Sequence, residues 1–348
     1  MLPGRATAEG TARFRARSGA APGHFRPALG VLVSSLGLGT YLGRDDAATD
    51  ALYAAACQRA FQLGLNVVDS AINYRNQRSE RALGAALYAG VRDEVVVCTK
   101  GGYLPFDGGR PPDLRAYVEE TWLKTGLLKP EEIVAGCHSL APRFLSDQID
   151  RSRRNLRVQT IDLYYLHNPE TQLGEVSRAE FALRLRAAFA ELERACEAGR
   201  IAAYGAATWS GLRLGEGEEE HLSFAGLLAA ARDVGGEQHH FRAVQLPFNL
   251  ELDEAQTLRN QNGRTLLEAA SEAGVAVFAS ASVLQGKLTS KLPQALRDRL
   301  GAGSDAQRAL QFARSTPGVT CALVGMKTPA HVDENAALAR LAPLSAPL

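Results

Sequence analysis

The sequence predicts a (β/α)8 (TIM) barrel with enlarged loops after its third and fifth strands. Three observations carry the prediction. First, eight short apolar runs recur along the 348 residues, at 31–38, 66–70, 94–99, 161–166, 202–206, 244–247, 275–279 and 320–324. They are dense in Val, Ile and Leu with little alternation, as strands buried on both faces of a parallel sheet are. Second, amphipathic, Ala-rich segments separate the runs, so strands and helices alternate. Third, no GxGxxG follows the first run. Gly37, Gly39 and Gly43 have the wrong spacing and open no helix, which disfavours a doubly wound dinucleotide fold.

Taken in order, residues 1–25 are polar and rich in Ala, Gly and Arg, and they read as a flexible N-terminal arm. They contain no apolar core of the kind a secretory signal needs. Residues 26–348 read as one barrel domain. Residues 50–63 have helical spacing with Asp50 as N-cap, and Gly64 supplies the stop. Residues 179–198 repeat the design and end at Gly199, and residues 265–273 end at Gly274. Two connections exceed what a barrel needs, at 101–142 and 209–241, and long loops of this kind are commonly functional lids or disordered segments. Within the first, residues 133–138 have the character of an extra strand. Tyr164 and Tyr165 read as barrel packing.

Composition excludes several roles. Lys plus Arg number 39 and Asp plus Glu 38, a net charge of +1, so nucleic acid is not an expected partner. No run approaches ~18 apolar residues, so no membrane span is expected. The five cysteines form no CxxC or Cys/His cluster with zinc spacing. No metal is expected, and a reduced, cytoplasmic setting fits. A monomer or small homo-oligomer acting on a small molecule is the expected form.

In a barrel of this kind the active site forms at the C-terminal strand ends. The second strand ends with Asp69, with Tyr74 in the loop beyond. Lys100 follows the third run and His167 the fourth. A phenol, with a reference pKa near ~10, is a weak acid. A neighbouring ammonium lowers that value, and a carboxylate holds the ammonium charged. An imidazole can donate a hydrogen bond to a developing alkoxide. The set suits proton transfer to a carbonyl oxygen. It lacks a poised Ser or Cys nucleophile and the second carboxylate of a glycosidase.

Five segments resemble the aldo-keto reductase family over about residues 29–341. They are LGLGT at 36–40, NVVDSAINYRNQRSERALGAAL at 66–87, VCTKGG around Lys100, TIDLYYLHNPE at 160–170, and VGMKTPAHVDEN at 324–335. The resemblance implies an oxidoreductase moving hydride between NADP(H), with NAD possible, and an aldehyde, ketone or sugar. It makes Tyr74 the general acid, Lys100 and Asp69 its partners, and His167 the substrate orienter. It places Gly39, Thr40, Tyr41, Asp69, Gln245 and Ser280 toward the nicotinamide. It places Lys327, Thr328, His331, Glu334 and Asn335 toward the adenosine end.

Three positions depart from the family pattern. Where Ser-Asn is usual after the glycine of the fifth strand, Gly205 is followed by Ala206, Ala207, Thr208 and Trp209, Ser280 stands where an aromatic residue stacks, and His331 falls near a usual arginine. The departures imply weaker cofactor binding, stacking supplied by Trp209, or poor discrimination of NADP from NAD. Tyr41, His138 and Trp209 are the expected substrate contacts, with a surface role the other reading of His138. Arg75 and Arg78 either pair with Glu80 or bind an acidic group. Two other functions use the same residues: a nucleotide-binding regulatory barrel without turnover, and an acid/base lyase or isomerase.

Overall fold

The computed structural model describes residues 1–301 and 303–345. An antiparallel hairpin, β1 (Phe25–Ala28) and β2 (Val31–Ser34), precedes the barrel. The barrel strands are β3 (Leu36–Gly39), β4 (Val67–Asp69), β5 (Val96–Gly101), β6 (Leu163–His167), β7 (Tyr204–Ala207), β8 (Phe241–Pro247), β9 (Ala276–Ser280) and β10 (Val319–Gly325). All eight pair in parallel, and β10 closes the ring onto β3. The fold is therefore the (β/α)8 barrel that the alternation of runs and helices predicts.

The first apolar run is two strands, not one. Ser35 breaks it, its N–H bonding the His24 carbonyl at 2.6 Å. An unbroken apolar run hides such a corner, because the half-buried β2 and the buried β3 are alike in apolar character. Val33 packs with the strand-start residues Val67, Val96, Leu163 and Ala276, so the hairpin closes the N-terminal end of the barrel.

The reading of residues 1–25 as a flexible arm is corrected. Ala8–Ser18 is a helix whose N-cap Thr7 accepts from the Gly10 N–H. Phe14 is buried against Phe25, with ring centroids 6.0 Å apart. Arg13 and Arg17 pair with Asp93 and Glu94, and the Ala6 N–H donates to Asp162 at 2.7 Å. Two of the arginines that look like a solvated arm, Arg13 and Arg17, are anchors.

Gly64, Gly199 and Gly274 take φ of 92°, 67° and 65° after their helices, as C-terminal stops require. The first barrel helix starts earlier than expected, at Ala47–Gln62. Asp46, in extended conformation, caps it and accepts from Thr49. Asp50 instead faces Arg75 and Arg78. The 101–142 connection packs Leu104, Trp122, Leu128 and Ala141 into a small core with Phe144 of the helix that follows, Pro142–Leu156. Its residues 133–138 form only isolated bridges, Val134 to His138 and Tyr103 to His138, rather than a strand. The 209–241 connection contains a regular barrel helix, Phe224–Gly235, so its excess is confined to the residues before it. Among the described residues no helix is long and apolar enough to cross a membrane.

Candidate active site

Three strand ends and one loop bring the four predicted side chains together. Asp69 closes β4, Lys100 lies one residue from the end of β5, and His167 closes β6. The Lys100 Nζ donates to Asp69 Oδ2 at 2.6 Å, to the Ser70 carbonyl at 2.7 Å and to the Tyr74 hydroxyl at 3.3 Å. Gln245, from β8, donates to the other Asp69 oxygen at 2.9 Å. The Tyr74 ring meets His167 edge-on, with centroids 5.7 Å apart.

The loop that delivers Tyr74 is held in an uncommon conformation. Arg75, Asn76 and Gln77 take φ of 47°, 54° and 70°. Non-glycine residues adopt such angles only when their surroundings over-determine them. Here Arg75 donates to the Arg44 carbonyl and to Asp50, Asn76 to Asp45, and Gln77 to the Phe106 carbonyl. The expected pairing of Arg75 and Arg78 with Glu80 is corrected, because both arginines bind Asp50. Glu80 is buried and accepts from Thr99 and Asn155.

Burial dominates the electrostatics. It raises the Tyr74 pKa above its usual value, and the opposing pull of Lys100 does not overcome it. The lowered phenol pKa expected from the neighbouring ammonium is therefore corrected, because burial outweighs Lys100. Burial also acts to lower Lys100, but Asp69 and Tyr74 outweigh it and hold the ammonium above its ordinary range. His167 is pushed well below the usual histidine range by burial and then by Lys100, so it is neutral at neutral pH.

A cavity of about 830 Å³ opens above these groups. Gly39, Thr40, Tyr41, Asp69, Tyr74, His167, Trp209, Gln245, Ser280, His331, Glu334 and Asn335, all predicted site residues, line it. Lys100 lies beneath its floor, 1% exposed. Lys327 and Thr328 stand beside the cavity rather than in its wall. Thr328 caps the helix Pro329–Ala336, accepting from the His331 N–H. His138 is corrected on both readings, because it is neither on the surface nor in the cavity wall. It is buried behind His167, with its Nε2 2.8 Å from the His167 carbonyl oxygen.

Sequence reasoning misses Tyr103, Asn73 and Asn168 as lining residues. Tyr103 sits two residues past the strand end that carries Lys100, a position that could have flagged it. It stands edge-on to His167 at 5.1 Å and accepts from Asn168 Nδ2 at 3.1 Å. Glu170 is also missed. Asn168 turns the chain with φ of 46°. One carboxylate oxygen of Glu170 then accepts from the N–H groups of Trp209, Ser210 and Gly211, which fixes the loop carrying Trp209.

The cavity wall offers polar groups to a ligand. Buried side-chain atoms without partners occur among its lining residues: Asn73 Oδ1, His167 Nδ1, Thr208 Oγ1 and Asn335 Oδ1. Unsatisfied buried polar atoms are costly unless a ligand completes them. Gly39 and Gly325 pair across β3 and β10, both in the wall, and leave a stretch of bare backbone between the Tyr74 and Asn335 ends.

A phenol, an ammonium, a carboxylate and an imidazole thus meet on one rim of a (β/α)8 barrel. The chain belongs to the aldo/keto reductase family, whose description matches residues 35–347. A D-threo-aldose 1-dehydrogenase of Pseudomonas sp. is 31% identical over 188 residues, 53% of this chain and 51% of that protein. Prostaglandin F synthase 1 of Bos taurus is 27% identical over 147 residues, 42% of this chain and 33% of that protein. The matched segments thus span about half of the first of these curated relatives and a third of the second. In structure the chain is similar to an aldo-keto reductase of Bacillus halodurans in its holo form, with TM-score 0.65, 19% identity and 92% of each chain covered. It is also similar to an aldo/keto reductase of Klebsiella pneumoniae in complex with NADP and acetate, with TM-score 0.62, 20% identity, and 93% and 92% covered.

Proposed function

We propose that the protein is an NADP(H)-dependent oxidoreductase acting on an uncharged, polyhydroxylated carbonyl compound of the aldose type. The observation that carries this is the Lys100 ammonium, which reaches both Asp69 and the Tyr74 hydroxyl beneath one cavity. NADP(H), when bound, supplies or accepts the hydride. Gly39, Gly325, Thr208, Gln245 and Ser280 would hold its nicotinamide half, and His331, Glu334 and Asn335, with Lys327 and Thr328 beside them, its adenosine half.

The chain's own groups manage the proton. Burial keeps Tyr74 protonated at neutral pH, so it can give its proton to the substrate oxygen during reduction. Lys100 stabilises the phenolate that remains. Asp69 keeps Lys100 charged, and Gln245 holds Asp69 in place. The neutral His167 ring offers a hydrogen bond to the same oxygen. In the oxidative direction Tyr74 must first be deprotonated.

The substrate class follows from the walls. Among the described lining residues there is no Lys or Arg to receive a carboxylate. Tyr41, Tyr103 and Trp209 supply aromatic faces, and Asn73 and Asn168 supply amides. Aromatic faces suit the C–H side of a sugar, and amides suit its hydroxyls. The aldose 1-dehydrogenase among the relatives agrees with this reading. All five cysteines are free thiols, which suits a reducing compartment such as the cytoplasm.

The test is a matched substrate panel followed by NADP(H) absorbance. Neutral aldoses and hydroxyaldehydes are expected to turn over with higher kcat/KM than their carboxylated counterparts. Preference for the carboxylated set would overturn the substrate class.

A further inference from the structure

We infer that His138 is a positioning residue for His167, held in one tautomer by a directional hydrogen-bond chain that starts at Arg184. The inference rests on the assignment of His167 to the reacting site. Arg184 can only donate, and its Nη1 donates to Gln172 Oε1 at 3.0 Å. The Gln172 amide nitrogen must then face the other way, and it lies 2.8 Å from His138 Nδ1. Nδ1 therefore accepts, so the single proton of the neutral ring sits on Nε2. At the far end the His167 carbonyl can only accept, and it lies 2.8 Å from Nε2. An obligatory donor and an obligatory acceptor thus fix every bond between them.

The surroundings are built for this chain. His138 and Gln172 are both fully buried. Tyr103 wedges between the two histidines, with centroids 4.9 Å from His138 and 5.1 Å from His167. Gly102, at φ of 134°, leaves the gap. A Cβ there would lie 2.8 Å from His138 Nε2 and 3.2 Å from the His167 oxygen. The bond anchors the backbone at the end of β6, just where Asn168 turns the chain away. The position of the His167 ring over Tyr74 depends on that anchor.

Two variants and two readouts test the assignment. His138→Phe keeps an aromatic ring and removes the donor, and His138→Gln restores an amide donor. His138→Phe is expected to lose about 10- to 100-fold in kcat, the size of effect a small misplacement causes. Its Kd for NADPH, read by fluorescence quenching, should stay within about threefold of wild type, and His138→Gln should recover part of the loss. Equal kcat in His138→Phe would overturn the inference. So would a loss matched by cofactor affinity and not recovered by Gln. A second readout needs no turnover. In the 1H–15N spectrum of the histidine rings at neutral pH, His138 should carry its proton on Nε2, and His138→Phe should shift the His167 signals. Unshifted His167 signals, or an Nδ1 proton on His138, would contradict the chain. If His138→Phe does not fold, Gln172→Leu serves, and it should release His138 to a mixture of tautomers. A protein inactive with every carbonyl would fail the oxidoreductase reading alone, leaving the spectroscopic result to decide this one.

Discussion

Lys100 is almost wholly buried and still charged, because Asp69 and the Tyr74 hydroxyl surround its ammonium. Removing it strands a buried carboxylate. Lys100→Met is expected to destabilise the fold by roughly 3–5 kcal/mol, read by denaturant unfolding. A cost below about 1 kcal/mol would mean that Asp69 finds another partner. Tyr74 yields a pH prediction with a definite sign. Its pKa is raised, so the acid form is present throughout the range below its ordinary value near 10. The reductive rate should therefore show no loss from Tyr74 between neutral pH and pH 10, whereas the oxidative rate should climb with pH. A reductive limb that falls near pH 7 would contradict the assignment. Trp209 is about half exposed at the cavity mouth, and Glu170 fixes its loop. Trp209→Ala should raise KM for sugar substrates with little change in kcat.

At the scale of elements, what is legible in the sequence is whatever depends on local spacing. Asp69, Lys100 and His167 sit at or beside the ends of short apolar runs, so periodicity alone puts them on one rim. The contacts of long connections are not legible. Asp50 meets Arg75 and Arg78 only through the path of the Tyr74 loop, and His138 reaches His167 only because the 101–142 segment packs a small core with the helix that follows. Composition misleads for the N-terminal helix. Its polar face bears arginines that look solvated, while one aromatic, Phe14, does the packing. The signals were present as Thr7 at the cap and Phe14 within the helix. Phe14→Ala should cost about 3–5 kcal/mol in unfolding free energy, and Thr7→Ala about 1 kcal/mol. Near-zero values for both would restore the view of residues 1–25 as a loose arm.

For the whole molecule, the barrel explains why the functional groups converge, and buried histidines set its acid limit. His24 lies under the barrel beside Arg26 and Arg314, and burial lowers its pKa to about 4. His138 is likewise lowered to about 4 by burial. Both bind protons more readily unfolded, where the value is near 6.5, than folded. Stability should therefore be full above about pH 6.5 and fall as pH drops toward 4, by roughly 3 kcal/mol for each histidine. Thermal melting of wild type and His24→Gln across that window checks it, and the variant should show the shallower slope.

The central claim is that Tyr74, set by Lys100 and Asp69, delivers the proton while hydride passes between NADP(H) and a carbonyl carbon. Its most direct test is single-turnover transfer from deuterated NADPH to a neutral aldehyde, with the product analysed by mass spectrometry. Wild type should place the deuterium on the former carbonyl carbon. Tyr74→Phe should bind NADPH with unchanged Kd yet transfer about 10²- to 10⁴-fold more slowly. Equal transfer rates in the two proteins, or no transfer from wild type to any carbonyl while NADPH binds, would contradict the account.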